Sequence, residues 1–476
     1  MLLAGLDIGT SSVKGLALRP DGTIAARADA SYPLSTPRPG WAEQDPEDWW
    51  TAASSVLGAL REAGPLAGIG LSGQMHGLVL LDRAGAVLRP AILWNDGRTQ
   101  QETEDIEAAL GGRARLVELT GNRALAGFTA PKLEWVKRHE PEVYAEIAAV
   151  MLPKDYVRWR LTGAHAIDVA DASGTLWLDV QARSWSVPVL EELGVDEAWL
   201  PRLLESAAVS GETADGVPVA AGAGDQAAGA LGVGVARAGG PLSVVLGTSG
   251  VVFAALEDYA ADHEGRVHAF CHALPGAWHG MGVMLSAAGS LAWLRQTIAP
   301  DVPFGTLDAA AAAWEPGVEG LTFLPYLAGE RTPHADPDAR GSFTGLSLRH
   351  DRGALTRAVL EGVAYGLRDS LDIVAAIGGT PELGRVSGGG AASDLWLRII
   401  ASVFELPLQT MEVEEGAAFG AALLGGVAAG VWPDVEAAID ACVRPGRVVD
   451  PVAAWVEPYR EGLAHFRALY PAIRDA

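Results

Sequence analysis

An apolar run over residues 2–6 ends at Asp7 and a turn of small residues, Gly9-Thr10-Ser11-Ser12, before a second run from Val13 to Leu18. This pattern predicts a strand, a tight turn and a return strand. Pro20-Asp21-Gly22-Thr23 predicts a further turn, because Asp-Gly supplies the positive φ that a hairpin needs. The period then changes from 2 to 3.6. Trp49, Ala53, Val56, Leu57 and Leu60 fall on one face of a helix that Asp45 caps, Pro46 opens and Gly64 closes. Residues 66–71 predict a buried strand that empties into Ser72-Gly73-Gln74-Met75-His76-Gly77, a loop with neither period. Further helices are predicted at about 100–110, 355–377, 393–404 and 417–429.

The opening pattern returns later. Leu242 to Leu246 leads into Gly247-Thr248-Ser249-Gly250 and continues as an apolar run from Val251 to Leu256. Gly9 and Gly247 stand 238 positions apart, half of the 476 residues. A recurrence at that offset predicts two lobes, 1–240 and 241–476, with a seam near Gly239-Gly240-Pro241. Strands alternating with helices make both lobes α/β. No charge run or Ser-rich linker marks the seam, so the lobes are expected to pack directly.

Composition narrows the partners. Hydrophobic residues are 49% and charged residues 20% of the chain, enough to bury a large core. Lys+Arg 35 against Asp+Glu 59 gives a net charge of -24, which repels a nucleic-acid backbone. Two cysteines, Cys271 and Cys442, fit a reducing compartment, and the first residues carry no basic export signal, so a cytoplasmic protein is expected. Gly416 to Trp432 is uncharged and glycine-spaced. At 17 residues with five glycines, and with Glu414 and Glu415 at its mouth, it reads as a closely packed buried helix rather than a membrane span. Only four basic residues are lysine, Lys14, Lys132, Lys137 and Lys154, so they are either positions that need an ammonium or leftovers of a composition that favours arginine.

Two nucleotide chemistries compete in the motifs. The P-loop pattern is absent, but Gly222-Ala223-Gly224-Asp225-Gln226-Ala227 fits a dinucleotide fingerprint, GxGxxA, after a short apolar run. An NAD-dependent oxidoreductase would use it, yet Asp225 would then set a carboxylate beside the pyrophosphate, and Pro218 would remove a ladder donor from a central strand. The rival reading uses Asp225 directly. A carboxylate on a Gly-rich turn can take the proton of a hydroxyl that attacks phosphorus, or it can be an ordinary helix N-cap. The paired Gly-Thr-Ser turns suit phosphate as well, with hydroxyls and amides donating from two sides. Asp7 could face phosphate only through a hydrated Mg2+. His268, Cys271, His272 and His279 imitate a zinc site, but on a strand His268 and Cys271 point to opposite faces.

Several segments together resemble the FGGY carbohydrate kinases, most of all the members that act on xylulose. They are Asp7 to Ser12, Ser72 to Gly77, Leu93-Trp94-Asn95-Asp96-Gly97-Arg98, Leu152-Pro153-Lys154-Asp155-Tyr156, Gly224 to Gly229, and Phe323 to Pro333. Gly127 to Val136 is similar to the family's first signature, and Gly341 to Glu361 to its second, departing at Ala354. The resemblance implies two lobes of the actin-like, ribonuclease-H-like ATPase fold with a cleft between them. It also implies ATP and Mg2+ as cofactors and phosphorylation of a ketopentose, D-xylulose to its 5-phosphate. Another ketose or polyol, or a nucleotide-gated actin-like binding protein, is the alternative. By the same resemblance Asp225 is the general base and Asp7 the metal-linked acid, acting through water. Met75, His76, Asp225 and Gln226 hold the sugar, Gln226 standing where many relatives carry Asn. Thr10, Ser11, Ser12, Lys14 and Thr248 face the phosphates, and Gly289, Gly389, Gly390 and Ser393 line the adenosine side. A homodimer fits the resemblance, with no nucleic-acid or membrane partner.

Overall fold

The computed structural model describes residues 1–413 and 416–474. Each Gly-Thr-Ser turn joins the first two strands of a mixed sheet, and the two sheets share one plan. In the first, Leu2–Ile8 pairs antiparallel with Ser12–Leu18 and, beyond it, Ile24–Ser31, while its other side pairs in parallel with Leu66–Gly73. Pro218–Ala220 follows in parallel, and Val209–Glu212 closes that edge antiparallel. In the second, Leu242–Leu246 pairs antiparallel with Gly250–Leu256 and in parallel with Gly384–Ser387. Leu408–Met411 follows in parallel and Pro445–Val449 closes antiparallel. Trp278–Met284 and His268–Cys271 extend the hairpin side. The half-length echo in the sequence is thus an echo of topology.

The first helix, Pro46–Glu62, forms as its caps predict. Asp45 accepts a hydrogen bond from the Glu47 amide at 3.0 Å, and Trp49, Ala53, Val56, Leu57 and Leu60 are buried against the opening strands. Val56, Leu57 and Leu60 each contribute roughly 1.5–3 kcal/mol by leaving water, and the Ala53 methyl about 0.8 kcal/mol. The strand after it runs further than its apolar pattern. Leu66–Gly73 stays in register with Leu2–Ile8 up to Ile8↔Gly73, so Ser72 and Gly73 are strand rather than loop. Backbone pairing holds them there, although their side chains carry no apolar signal.

The uncharged glycine-spaced stretch is the helix Gly416–Ala428, buried as expected. Among the described residues no helix is long and apolar enough to cross a membrane. Glu414 and Glu415, expected at its mouth, lie outside the described residues. Although it follows the second sheet in the chain, this helix packs on Leu2–Ile8, Leu66–Gly73 and the helix Asp225–Gly232. Only glycine permits that approach: a Cβ on Gly70 would fall 1.7 Å from Ala421 O, and one on Gly420 would fall 1.8 Å from Ala228 O. Because backbone stands on both sides, neither neighbour can yield cheaply. Gly70→Ala is therefore expected to lose roughly 3 kcal/mol, read as a lower urea midpoint at unchanged slope.

The lobes pack directly. The edge strand His268–Cys271 docks on the first half, where Asn122 Nδ2 donates to Ala269 O at 2.9 Å and Ser173 Oγ accepts from the Cys271 amide at 3.0 Å. In return Arg385 Nη1 donates to Val233 O at 2.7 Å, tying the end of the helix Asp225–Gly232 to the second sheet.

Candidate active site

Strand pairing places Asp7 opposite Lys14, so both side chains share one face at the mouth of the first turn. Together with Gly416 they line a cavity of about 470 Å³. Asp7 accepts from Ser72 Oγ at 3.3 Å. Desolvation pushes its carboxyl up to about 6, against the Ser72 hydrogen bond and the Lys14 charge. The equivalent position in the second lobe is Val245, so only one lobe carries a carboxylate beside its turn.

The first turn is held from outside. Gln44 Nε2 donates to Thr10 O at 2.6 Å, and Gln44 Oε1 in turn accepts from Trp49 Nε1 and Gln74 Nε2, each at 3.0 Å. Tyr32 OH donates to Gly9 O, and Trp94 Nε1 donates to Thr10 Oγ1 at 3.0 Å. Ser11 is exposed, whereas Thr10 and Ser12 are half-buried. Neither Gln44 nor Tyr32 was visible as part of a site in the sequence. Both act on backbone carbonyls across long chain separations, which leaves no local pattern.

Met75 and His76 follow the strand Leu66–Gly73. Met75 lies against Gly224, where a Cβ would meet its Cγ at 2.7 Å, so the glycine makes room for it beside Asp225. His76 adopts φ 69, a left-handed conformation costing roughly 1–2 kcal/mol outside glycine. Two donors offset that strain: Lys132 Nζ reaches His76 O at 2.7 Å and Thr129 Oγ1 reaches it at 3.2 Å. The ring stacks on Phe128 at 4.7 Å, and Nδ1 lies 2.9 Å from Gly174 O. A carbonyl can only accept, so Nδ1 carries the proton and Nε2 presents a lone pair. Burial, then the Lys132 and Arg331 charges, hold this imidazole well below its usual pKa.

Asp225 is the first residue of the helix Asp225–Gly232, and the cap position belongs to Gly224. The N-cap reading of Asp225 is thereby excluded. Desolvation pushes its carboxyl up to about 7, the Asp7 charge adds to this, and hydrogen bonding to Gln226 opposes it. A half-buried carboxylate that titrates near neutrality is poised to accept a proton. The dinucleotide reading fails at the glycines themselves. Gly222, at φ 89, packs against Leu71, where a Cβ would come 2.3 Å from the carbonyl, and Gly224 is filled by Met75. Neither opens to a pyrophosphate.

The five residues expected on the second turn and the adenosine side meet in one place. Thr248, Gly289, Gly389, Gly390 and Ser393 line a cavity of about 800 Å³ whose apolar wall includes Trp293, Phe304 and Trp396. Gly289 lies against Thr248, with its amide 3.2 Å from Thr248 O. Around Gly389 there is open space where a side chain would be. Ser393 Oγ is already engaged, accepting from the Trp396 amide at 3.1 Å as a helix cap. Its contribution to the cavity is therefore shape and backbone.

The zinc imitation dissolves as its strand geometry predicts. His268 faces Phe128 and Phe270, while Cys271 packs on the other side with Val180. Among the described residues the one cluster with cation-ligand spacing is Asp155, Asp168 and Asp171, and Lys154 Nζ fills it at 2.6, 2.6 and 2.9 Å respectively. Lys154 and Lys132 are fully buried, each doing what an ammonium alone does there. Lys137 donates to Leu193 O near the surface.

Comparison with known proteins agrees with this geometry. The FGGY family of carbohydrate kinases matches over both its domains, the N-terminal one at residues 2–232 and the C-terminal one at 242–429. The xylulose kinase of Escherichia coli K12 is 46% identical over 439 residues, 89% of this chain and 90% of that protein. That of Bacillus subtilis 168 is 37% identical over 99% of this chain and 97% of its own length. The crystal structure of xylulose kinase from Rhodospirillum rubrum superposes with a TM-score of 0.92 at 34% identity, covering 100% of this chain and 99% of that one. With its duplicated sheets in the actin-like, ribonuclease-H-like arrangement and both family domains matched along its length, the chain belongs to the FGGY family of carbohydrate kinases.

Proposed function

We propose that this enzyme transfers the terminal phosphoryl group of ATP to D-xylulose, giving D-xylulose 5-phosphate. The observation that carries the reading is Asp225. It stands at the first residue of a helix, beside Met75 and in the field of Asp7, with a carboxyl held near neutrality. Asp225 takes the proton of the sugar's terminal hydroxyl as its oxygen bonds to phosphorus, and the bond from phosphorus to the departing ADP oxygen breaks. Met75 shapes the floor of the sugar site, Gln226 offers an amide, and His76 Nε2 accepts from a sugar hydroxyl. Thr10, Ser11, Ser12, Lys14 and Thr248 donate toward phosphate oxygens. Gly289, Gly389, Gly390 and Ser393 wall the nucleotide.

Asp7 keeps an oxygen beyond its single Ser72 contact, and a hard oxygen donor ionised at neutral pH fits a hydrated Mg2+. When bound, that ion neutralises charge on the phosphate oxygens. In this reading residues 1–240 supply the sugar side and 241–476 the nucleotide side, apart from the helix Gly416–Ala428 on the first sheet. The enzyme works in the cytoplasm, as the free thiols of Cys271 and Cys442 support. It does so as a homodimer, which size-exclusion chromatography with light scattering checks.

The direct test is ADP release, coupled to NADH oxidation, across pentuloses, aldoses, polyols and gluconate. D-xylulose is expected to give the highest kcat/KM, and ATP turnover indifferent to added sugar would overturn the reading in favour of a nucleotide-gated protein. A second measurement isolates the nucleotide wall. Because a side chain at Gly389 meets nothing in the protein, Gly389→Val should leave the melting temperature nearly unchanged. It should raise KM for ATP by roughly tenfold while KM for the sugar stays as it was, the signature of a lost binding surface.

A further inference from the structure

Among the described residues the cationic side chains at and beside the 440 Å³ cavity near Trp94 have acceptors, all but one. Arg98 pairs with Asp96 at 2.6 Å and Glu43 at 2.7 Å, Lys132 spans two carbonyls, and Arg113 and Arg123 share Glu107. Arg331 is the exception. Its guanidinium lines the 440 Å³ cavity between the halves, together with Trp94, Gly127 and Glu330, and no described carboxylate lies within ion-pair distance. Its backbone, by contrast, is pinned. The Arg331 and Leu285 amides both donate to Glu330 Oε1, at 2.7 and 3.0 Å, and Thr332 is tied to Val283 on the next strand. Glu330 attracts the guanidinium without an ion-pair contact: its Oε1 is held by those two amides, and burial first of all pushes its carboxyl up to about 8, against the amide hydrogen bonds and the Arg331 charge. Gly127 leaves the guanidinium its place: a Cβ there would lie 3.3 Å from Nη2.

A planar fork of donors without partners, on a rigid loop facing a cleft, is a site for acceptor oxygens. Its position says which. Asp225, Gly224 and Met75 are in sequence of contact, His76 follows Met75, and the field of Arg331 falls on His76, Lys132 and His268. Lys132 Nζ bridges Gly127 O, beside the guanidinium, to His76 O, so a ketose with its terminal hydroxyl at Asp225 that extends past His76 brings its carbonyl end toward Arg331. There His76 Nε2 offers an acceptor and Arg331 offers donors, matching the hydroxyl and the carbonyl of a hydroxyketone.

We propose that Arg331, reaching from the second half of the chain, donates to the carbonyl oxygen of the bound ketose and so sets the preference for a ketose over a polyol. The proposal rests on the ketose-kinase reading. It is tested by measuring kcat/KM for D-xylulose and for xylitol and D-arabitol, the pentitols that result from reducing its carbonyl, in the wild type, Arg331→Met and Arg331→Lys. Arg331→Met should lose roughly 10- to 100-fold on D-xylulose and under about threefold on the pentitols, with KM for ATP unchanged. Arg331→Lys should recover part of the loss. Equal losses on ketose and pentitol, or none, would overturn the assignment. Should the Met variant fail to fold, Arg331→Gln and Arg331→Lys yield the same ratio. A wild type inactive on D-xylulose would instead sink the reading on which the proposal stands.

Discussion

Asp225→Asn should lower kcat for sugar phosphorylation by roughly 10²- to 10⁴-fold, the range a positioned general base supplies. Asn keeps the shape and one acceptor oxygen but cannot take a proton, so the loss should fall on kcat with little change in KM for either substrate. The wild type should show an acid limb in kcat/KM with an apparent pKa no higher than about 7, because the carboxyl stands near 7 in the free protein and bound cationic charge can only draw it down. Activity is lost as pH falls through that value, and the residual activity of the Asn variant should lack this limb. A variant with near wild-type kcat, or with the limb intact, would remove Asp225 from its role.

The same substitution should make the protein more stable. The folded carboxyl is raised above its unfolded value near 3.8, so the folded state binds more protons across that window. Stability is fullest below about pH 4 and declines as pH rises through about 7. Asparagine is free of that decline. At pH 8 the variant should melt higher than the wild type by an equivalent of roughly 1–3 kcal/mol, allowing for partial exposure, and the gap should close toward pH 4. A site that lowers stability in the resting protein and raises rate in the working one is a common compromise in enzymes.

How much of this was legible in the chain depends on the reach of each interaction. The helix Pro46–Glu62, its Asp45 cap and the hairpin at Gly22 are made by neighbours within four residues, and local pattern found them. The duplication was legible because turn chemistry recurs at the half-length. Asp225 was legible through the family resemblance, since its glycine turn alone left a general base and a helix N-cap equally open. The scaffolding around the site was not legible. Gln44 holds Thr10 from 34 positions away, and Lys132 holds His76 from 56. Arg331 is defined by the acceptors it lacks. A weak signal did exist: in a chain that favours arginine, the scarce lysines at 132 and 154 turned out to be fully buried ammonium groups with several acceptors each.

Lys154→Met should be the most destabilising single change in the first lobe, at about 3–5 kcal/mol, because it leaves Asp155, Asp168 and Asp171 buried around a missing cation. Burial alone would favour a neutral amine there, but the three carboxylates outweigh it and hold Lys154 above the usual lysine range. Burial in turn raises Asp168 and pushes Asp171 up to about 8, against the Lys154 charge. Without that charge both should rise further, so the folded state would keep protons that the unfolded chain releases near pH 4. Its deficit must then grow as pH rises. The variant should accordingly melt closer to the wild type at pH 5 than at pH 8, and adding Asp171→Asn should return part of the loss at pH 8. The consequence reaches the sugar. Asp168 caps the turn Val169–Ala172 that leads to Gly174, and Gly174 O fixes the tautomer of His76. Whatever fraction of Lys154→Met folds should therefore show a raised KM for D-xylulose with KM for ATP unmoved. An unchanged melting temperature at pH 8 would show that the three carboxylates do not need their ammonium.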